Sequence, residues 1–261
     1  MIRVPVLLAL AMTAVGCAST PEATSPERSG SVVERVSPNR AAELNTRLGV
    51  GYLEKGDLQI ALEKLEKAVS QDPDHAPARL ALGIVYESIG RQELALEQLR
   101  RAVRLAPDDG AAHNSYAALL CRAGRYEEAD RHFRAALEDP FYPTPDIVLA
   151  NAGACARRDG RTETAEAYLR RALDIDPMNR VALFHLSSLS YEIGEPLRAR
   201  AFLQRLAETG PLSPQSLLLG YRVERRLGAA DSARGFSQRL QSQYPDSPEA
   251  NELRGQGRDD G

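Results

Sequence analysis

Tryptophan is absent from the 261 residues, and Phe and Tyr together make up only 5%. With β-branched residues also scarce, the chain lacks the side chains that fill sheet sandwiches and barrels. Lysine is nearly missing too: 30 of the 33 basic residues are Arg, set against 36 acidic residues for a formal net charge of -3. So even a balance supplies no global field for capturing nucleic acid. No apolar run approaches the roughly 20 residues that a membrane-spanning helix needs. Three Cys and four His occur, with no Cys-x-x-Cys and no His pair at the i, i+4 spacing of a helical metal site. Neither a glycine-rich phosphate loop nor a Gly-x-Ser-x-Gly nucleophile turn is present, and Asp130 and His132, two apart on a helix, cannot face each other. The reading is a non-enzyme without cofactor or metal. What is abundant is Ala (38) and Leu (34), both strong helix formers. The fold class expected is all-α.

The amino terminus is read separately. Arg3 precedes an apolar stretch from Val4 to Val15, too short to span a bilayer and suited to the core of a secretory signal. It ends in Ala14-Val15-Gly16-Cys17, which resembles the bacterial lipobox with Ala14 where Leu is usual. That resemblance implies a signal peptide over residues 1–16 and diacylglycerol on the thiol of Cys17. The alternative is a buried Cys in a first helix. Two or more acyl chains anchor a protein firmly where one is marginal. Ala18, in place of the Asp that retains many lipoproteins in the inner membrane, implies the outer membrane, periplasmic face. Residues 17–38, rich in Ser, Thr, Pro, Glu and Gly, read as a flexible tether.

From there the chain repeats itself. Gly49, Tyr52, Gly56, Ala61, Ala68 and Pro73 return 34 residues later as Gly83, Tyr86, Gly90, Ala95, Ala102 and Pro107. The register continues through six units, placed at 42–75, 76–109, 110–143, 146–179, 180–213 and 214–247, within a solenoid of 39–247 followed by a polar tail of 248–261. The pattern resembles the tetratricopeptide repeat. Small residues at position eight of helix A and Ala at position twenty of helix B let the two helices approach, a Gly at fifteen ends helix A, and Pro at thirty-two ends helix B. The expected architecture is a right-handed superhelical solenoid of helix-turn-helix units.

One interval breaks the period. Ala117 to Gly153 spans 36 residues instead of 34, and the insertion falls in Glu138-Asp-Pro-Phe-Tyr-Pro-Thr-Pro145. Its three prolines argue for an extended elbow that offers Phe141 and Tyr142 either to a partner or to the solenoid edge. On either side of it, Cys121 stands at position twelve of one A helix and Cys155 at position ten of the next, positions that lean toward each other. In an oxidising compartment a disulfide forms if the Cα atoms lie within about 7 Å. The alternative is two small buried residues that stay reduced.

Tetratricopeptide proteins bind segments of partners in the groove lined by their A helices, which here maps onto Val50, Leu53, Leu80 and Ile84 in the first two units. Further along the same positions carry Asn114, Arg122, Arg157 and Arg158, then Arg222, Arg225 and Arg226, whose guanidinium groups suit carboxylates and carbonyls. Several segments narrow the family: Asn114-Ser-Tyr-Ala-Ala-Leu-Leu-Cys121, the elbow through Tyr142-Pro-Thr-Pro145, Asn151-Ala-Gly-Ala-Cys155 and Leu217-Leu-Leu-Gly-Tyr-Arg222. Together with the lipobox they resemble the type IV pilus biogenesis and stability lipoproteins of the PilF/PilW kind. The resemblance implies a monomeric pilotin, an outer-membrane lipoprotein that binds subunits of the secretin PilQ, brings them to the membrane and promotes their multimerisation, supporting twitching motility. The alternative is an adaptor of another periplasmic assembly machine, for β-barrel insertion or cell-wall synthesis.

Overall fold

A glycine with a left-handed backbone closes each hairpin of the chain. Gly56, Gly90, Gly124, Gly160, Gly194 and Gly228 all have φ between 72° and 83°, a region that L side chains rarely adopt. At the first of them the N–H of Asp57 donates to the carbonyl of Tyr52 and that of Gly56 to Leu53, at 2.9 and 3.0 Å, and the same pair of bonds recurs at Gly90. This pair of hydrogen bonds satisfies carbonyls that a helix end would otherwise leave bare.

The computed structural model describes residues 37–259, which fold into α1 (Pro38–Glu54), α2 (Leu58–Gln71), α3 (Ala76–Ser88), α4 (Gln92–Leu105), α5 (Gly110–Arg122), α6 (Tyr126–Glu138), α7 (Pro145–Arg158), α8 (Thr162–Ile175), α9 (Arg180–Glu192), α10 (Pro196–Glu208), α11 (Pro214–Arg226), α12 (Ala230–Gln243) and α13 (Pro248–Asp259). The odd-numbered helices are the A helices of six successive repeats, and α13 follows them as a further one. Among the described residues there is no strand. The lipobox, Cys17 and the tether as far as residue 36 lie outside the described residues.

Each A helix packs on its own B helix and on the A helices before and after it, whereas the backbones of successive B helices stand farther apart and meet through long side chains, Tyr168 of α8 reaching Asp130 of α6 and Arg198 of α10 reaching Glu166 of α8. Close spacing on one layer and wide spacing on the other bends the stack, with the A helices on the inner, concave side. Ala61, Ala95, Ala129, Ala165 and Ala199 are fully buried, so position twenty is where each B helix lies against its partner. At Gly83 a methyl group would stand 2.6 Å from Cγ of Leu99. Leu65 and Leu169 crowd Gly49 and Gly153 in the same way. In the sixth repeat the pair moves one residue earlier, to Gly220 against Phe236, which explains why its sequence signature is weak.

The turn prolines expose carbonyls that Arg and His cover. Arg79 Nε donates to Pro73 at 2.6 Å, Arg205 to Pro177 at 2.9 Å, Arg180 to Pro211 at 2.6 Å and Arg254 to Pro245 at 2.9 Å. A planar guanidinium reaches such carbonyls from a neighbouring turn and still serves a second acceptor, as Arg79 does toward Gln98. Four of the 30 Arg thus serve the joints between repeats.

Three boundaries differ from the sequence reading. The expected polar tail is helix α13, because Ser247 accepts the N–H of Ala250, Pro248 starts the helix, and Ala250 and Leu253 are buried on the side facing α11 and α12. It covers the last repeat, as the end of any solenoid requires. Helix α1 begins at Pro38, within the span assigned to the tether and four residues ahead of the repeat register, with Ser37 accepting the N–H of Arg40. Pro145 belongs to α7 as its first residue, where its missing N–H costs nothing, so the elbow is confined to 139–144.

Candidate partner-binding groove

The groove runs across α1, α3, α5, α7, α9 and α11 and changes character along its length. At its amino-terminal end Val50 and Leu53 of α1 and Leu80 and Ile84 of α3 are all half-buried. Val50, Leu53 and Leu80 rest on the core. They stand on adjacent A helices, with no basic residue among the four.

At mid-groove Cys121 of α5 and Cys155 of α7 are joined by a disulfide, their Cα atoms 5.7 Å apart. Both are buried. A recess of about 180 Å³ opens over the bond, lined among others by Arg122, Asn151, Arg158 and His185. Asn114 does not face a ligand freely here: its amide donates to the hydroxyl of Tyr142 at 3.3 Å and its carbonyl accepts from Asn151 at 3.2 Å. Tyr142 is thereby half-buried against α5, while Phe141 beside it is 91% exposed. The elbow is also fixed through Asp139, whose carboxylate accepts the N–H groups of Gly110 and Phe141 at 3.0 and 2.9 Å. Those backbone donors hold its pKa below the usual carboxylate value.

Three of the arginines expected to meet a ligand carry ion-pair partners within the chain. Arg122 pairs with Glu87 of α3, and Arg157 with Glu192 of α9 at 2.5 Å. Each bridge ties an A helix to its neighbour, so these cations brace the concave wall. Arg222 is paired with Glu252 of α13. Arg158 is exposed and has no ion-pair partner among the described residues.

His185 of α9 lies against this wall with Nδ1 buried and without a hydrogen-bond partner among the described residues. Burial, then Arg157 and Arg158, push its pKa down to about 3. The unfolded chain takes up that proton near pH 6.5 while the folded chain refuses it, so stability falls as pH drops below about 6.5. Between pH 7.5 and 5 this costs about 2 kcal/mol at 1.36 kcal/mol per pH unit. Urea unfolding of the His185→Leu variant at the two pH values is expected to show that much less acid sensitivity than the parent. An unchanged pH dependence would contradict the assignment.

A second histidine contact escaped the sequence reading. Nδ1 of His113 on α5 lies 2.9 Å from Nδ1 of His132 on α6, and Nε2 of His113 lies 2.9 Å from the carbonyl of Pro107. A carbonyl only accepts, so Nε2 of His113 carries the hydrogen and His132 donates between the rings. Burial and the neighbouring His113 hold the pKa of His132 low. The signal was present in the register: Arg79 and Gln98 occupy the same two positions one repeat earlier and also touch. The pair is a joint between helices. Among the described residues no group of three or more His, Cys, Asp or Glu could hold a metal ion.

Comparison with known proteins agrees with this architecture. Residues 46–110, 90–143 and 117–180 match one tetratricopeptide-repeat family model, and 156–219 match a second. A solved structure described as PilW, a widely conserved type IV pilus biogenesis factor, superposes with a TM-score of 0.76 at 30% identity, over 82% of this chain and 99% of that one. The chain belongs to the tetratricopeptide-repeat proteins of type IV pilus biogenesis. A solved Pseudomonas aeruginosa PilF structure matches this family member with a TM-score of 0.72 at 28% identity, over 84% of this chain and 99% of that one. In sequence, the type IV pilus assembly protein PilF of Pseudomonas aeruginosa is 27% identical over 154 residues, 59% of this chain and 61% of the relative. The sequence match therefore spans less than two thirds of that curated relative.

Proposed function

We propose that this pilus-biogenesis repeat protein is a pilotin: a lipoprotein of the outer membrane that binds secretin subunits of the PilQ kind and promotes their assembly into the exit ring. The observation that carries the reading is the half-buried aliphatic strip of Val50, Leu53, Leu80 and Ile84 on the inner face of a scaffold similar to PilW over 99% of that solved chain. Half-exposed aliphatic side chains gathered on a concave wall suit a helix or strand of a partner. The scaffold contributes shape and needs no chemical step.

Acyl chains on Cys17 would supply location, the residues between it and Pro38 reach, and the groove recognition. Confining a partner at a membrane raises its effective concentration, which drives ring formation by mass action. The test is co-purification of the mature, acylated protein in detergent with the secretin of the same cell. Leu80→Asp/Ile84→Asp places two charges in the aliphatic strip, and retention of secretin is expected to fall at least tenfold while the circular dichroism melt stays within a few degrees. Undiminished retention by the folded variant would overturn the groove assignment, and absence of secretin from the parent's eluate would overturn the proposal itself.

A further inference from the structure

The inserted elbow between α6 and α7 is fixed at several points, yet it turns an aromatic side chain outward. The carboxylate of Asp139 accepts the N–H groups of Gly110 and Phe141, the N–H of Tyr142 donates to the carbonyl of Asp139 at 3.3 Å, and the Tyr142 hydroxyl accepts from Asn114. Gly110 admits this close seating: a methyl group on it would stand 3.0 Å from the carbonyl oxygen of Ala136 and 3.1 Å from Cβ of Asp139. Between these anchors Phe141 remains 91% exposed. It borders a recess of about 340 Å³ between the elbow and the turn that carries Pro107, with Pro107, Ala135 and Pro140 as its other apolar lining. The rest of the lining is Asp108, Glu138 and Asp139, so the recess holds three carboxylates and no basic side chain. Asp139 is occupied by the backbone, whereas the carboxylates of Asp108 and Glu138 are exposed and have no ion-pair partner among the described residues. No residue of an A helix lines the recess, which therefore lies apart from the groove.

We infer that this recess is a second docking site, one that takes a basic residue, Arg above all, next to an apolar side chain on a segment of a partner polypeptide. A guanidinium can lie flat on an aromatic face while its edge donors reach carboxylates, and the recess offers both in Phe141 and in Asp108 and Glu138. The apolar neighbour of that Arg meets Pro107, Ala135 and Pro140. Charge decides the class of occupant. Three carboxylates with no cation among them, on a chain of net charge -3, attract a basic segment. They repel the anionic headgroups that an aromatic wedge in a bilayer would meet. Because the elbow is already fixed in the free protein, docking spends little entropy on ordering it. The turns at Pro73, Pro107 and Pro177 carry neither Phe nor Tyr, so the site belongs to the one interval where the period breaks. It stands beside the groove reading and does not rest on it.

The experiment uses the mature acylated protein in detergent and a fluorescein-labelled peptide of fifteen residues in which Arg-Leu pairs are separated by Gly and Ser, followed by anisotropy. A peptide with Gln at every Arg position is the control. The Arg peptide is expected to bind at least tenfold more tightly than the Gln peptide and to weaken as salt is raised. Asp108→Asn/Glu138→Gln should reduce its affinity at least tenfold and Phe141→Ser at least fivefold, with circular dichroism melts unchanged because all three side chains are exposed. Glu43→Gln/Glu54→Gln removes the same charge from α1, which does not touch α6, and should bind like the parent. Equal affinity of the two peptides, full binding by the folded Phe141→Ser variant, or an equal loss in the α1 variant would overturn the inference. So would displacement of the peptide by short-chain phosphatidylglycerol at equal or lower concentration, which would mark a bilayer-inserting loop, or a Phe141-dependent dimer in sedimentation, which would mark a second copy as the occupant. Retention of secretin through Leu80 and Ile84 can fail with peptide binding intact, and the reverse, so the two ideas fall separately.

Discussion

Changing both Cys121 and Cys155 to Ala is expected to cost about 4 kcal/mol and to lower the melting temperature by roughly 8 to 16 °C. The bond closes a loop of sequence separation 34, and in the chain-entropy account a loop of that length removes about 4 kcal/mol of freedom from the unfolded chain. It matters more here than the figure alone suggests. A solenoid is held by contacts between neighbours, so its weakest interface sets where it opens. The interval between α6 and α7 is the one where two inserted residues break the repeat, and the disulfide bridges α5 to α7 across it. Calorimetry of the native and double-Ala proteins measures the difference. Equal melting temperatures would show that the bond adds nothing, and two reactive thiols at these positions in unreduced, denatured protein would show that it does not form.

The second large effect is expected at Gly83. Replacing it with Val should destabilise the protein by about 2 kcal/mol, in the range found when extra carbon is forced into a packed core. The first added carbon already falls 2.6 Å from Leu99 Cγ and 3.4 Å from the carbonyl oxygen of Ala95. Cγ is the branch point of Leu99, itself fully buried, so it cannot swing aside as a side-chain tip would. Leu99→Ala should relieve the crowding, and the double variant is then expected to lose at least 1 kcal/mol less than the two single losses added together. Additive losses in urea unfolding would mean the two positions do not press on each other.

How far the sequence foretold these features depended on whether the signal was local or periodic. Gly56 and its five counterparts could be placed because a left-handed helix end admits few residues other than Gly. Position twenty could be placed because Ala61 and Ala95 are the small residues that a close helix crossing demands. The elbow was visible as a gap in the count, yet its anchoring by Asp139 on Gly110 was not, since nothing nearby marks which amide that carboxylate meets. Helix α13 was missed although Ser247 and Pro248 form a readable helix start, because repeat matching stopped where the signature faded. Arg122 and Arg157 were expected to await a ligand. Their partners Glu87 and Glu192 sit one repeat plus one residue away in each case, on a neighbouring A helix, so the bridges emerge only once the helices are stacked. The contrast between an aliphatic first half and an Arg-lined second half of the groove was already visible in the sequence; that Arg158 has no ion-pair partner among the described residues needed the fold.

If the aliphatic strip serves secretin assembly, as proposed, then secretin multimers in cells depend on it. In a strain lacking this protein, detergent-resistant secretin multimers in the outer-membrane fraction should fall to a small fraction of the parental level. The unaltered gene should restore them, and one encoding Leu80→Asp/Ile84→Asp, present at equal abundance, should not. Parental levels of multimers in the strain lacking the protein would contradict the claim.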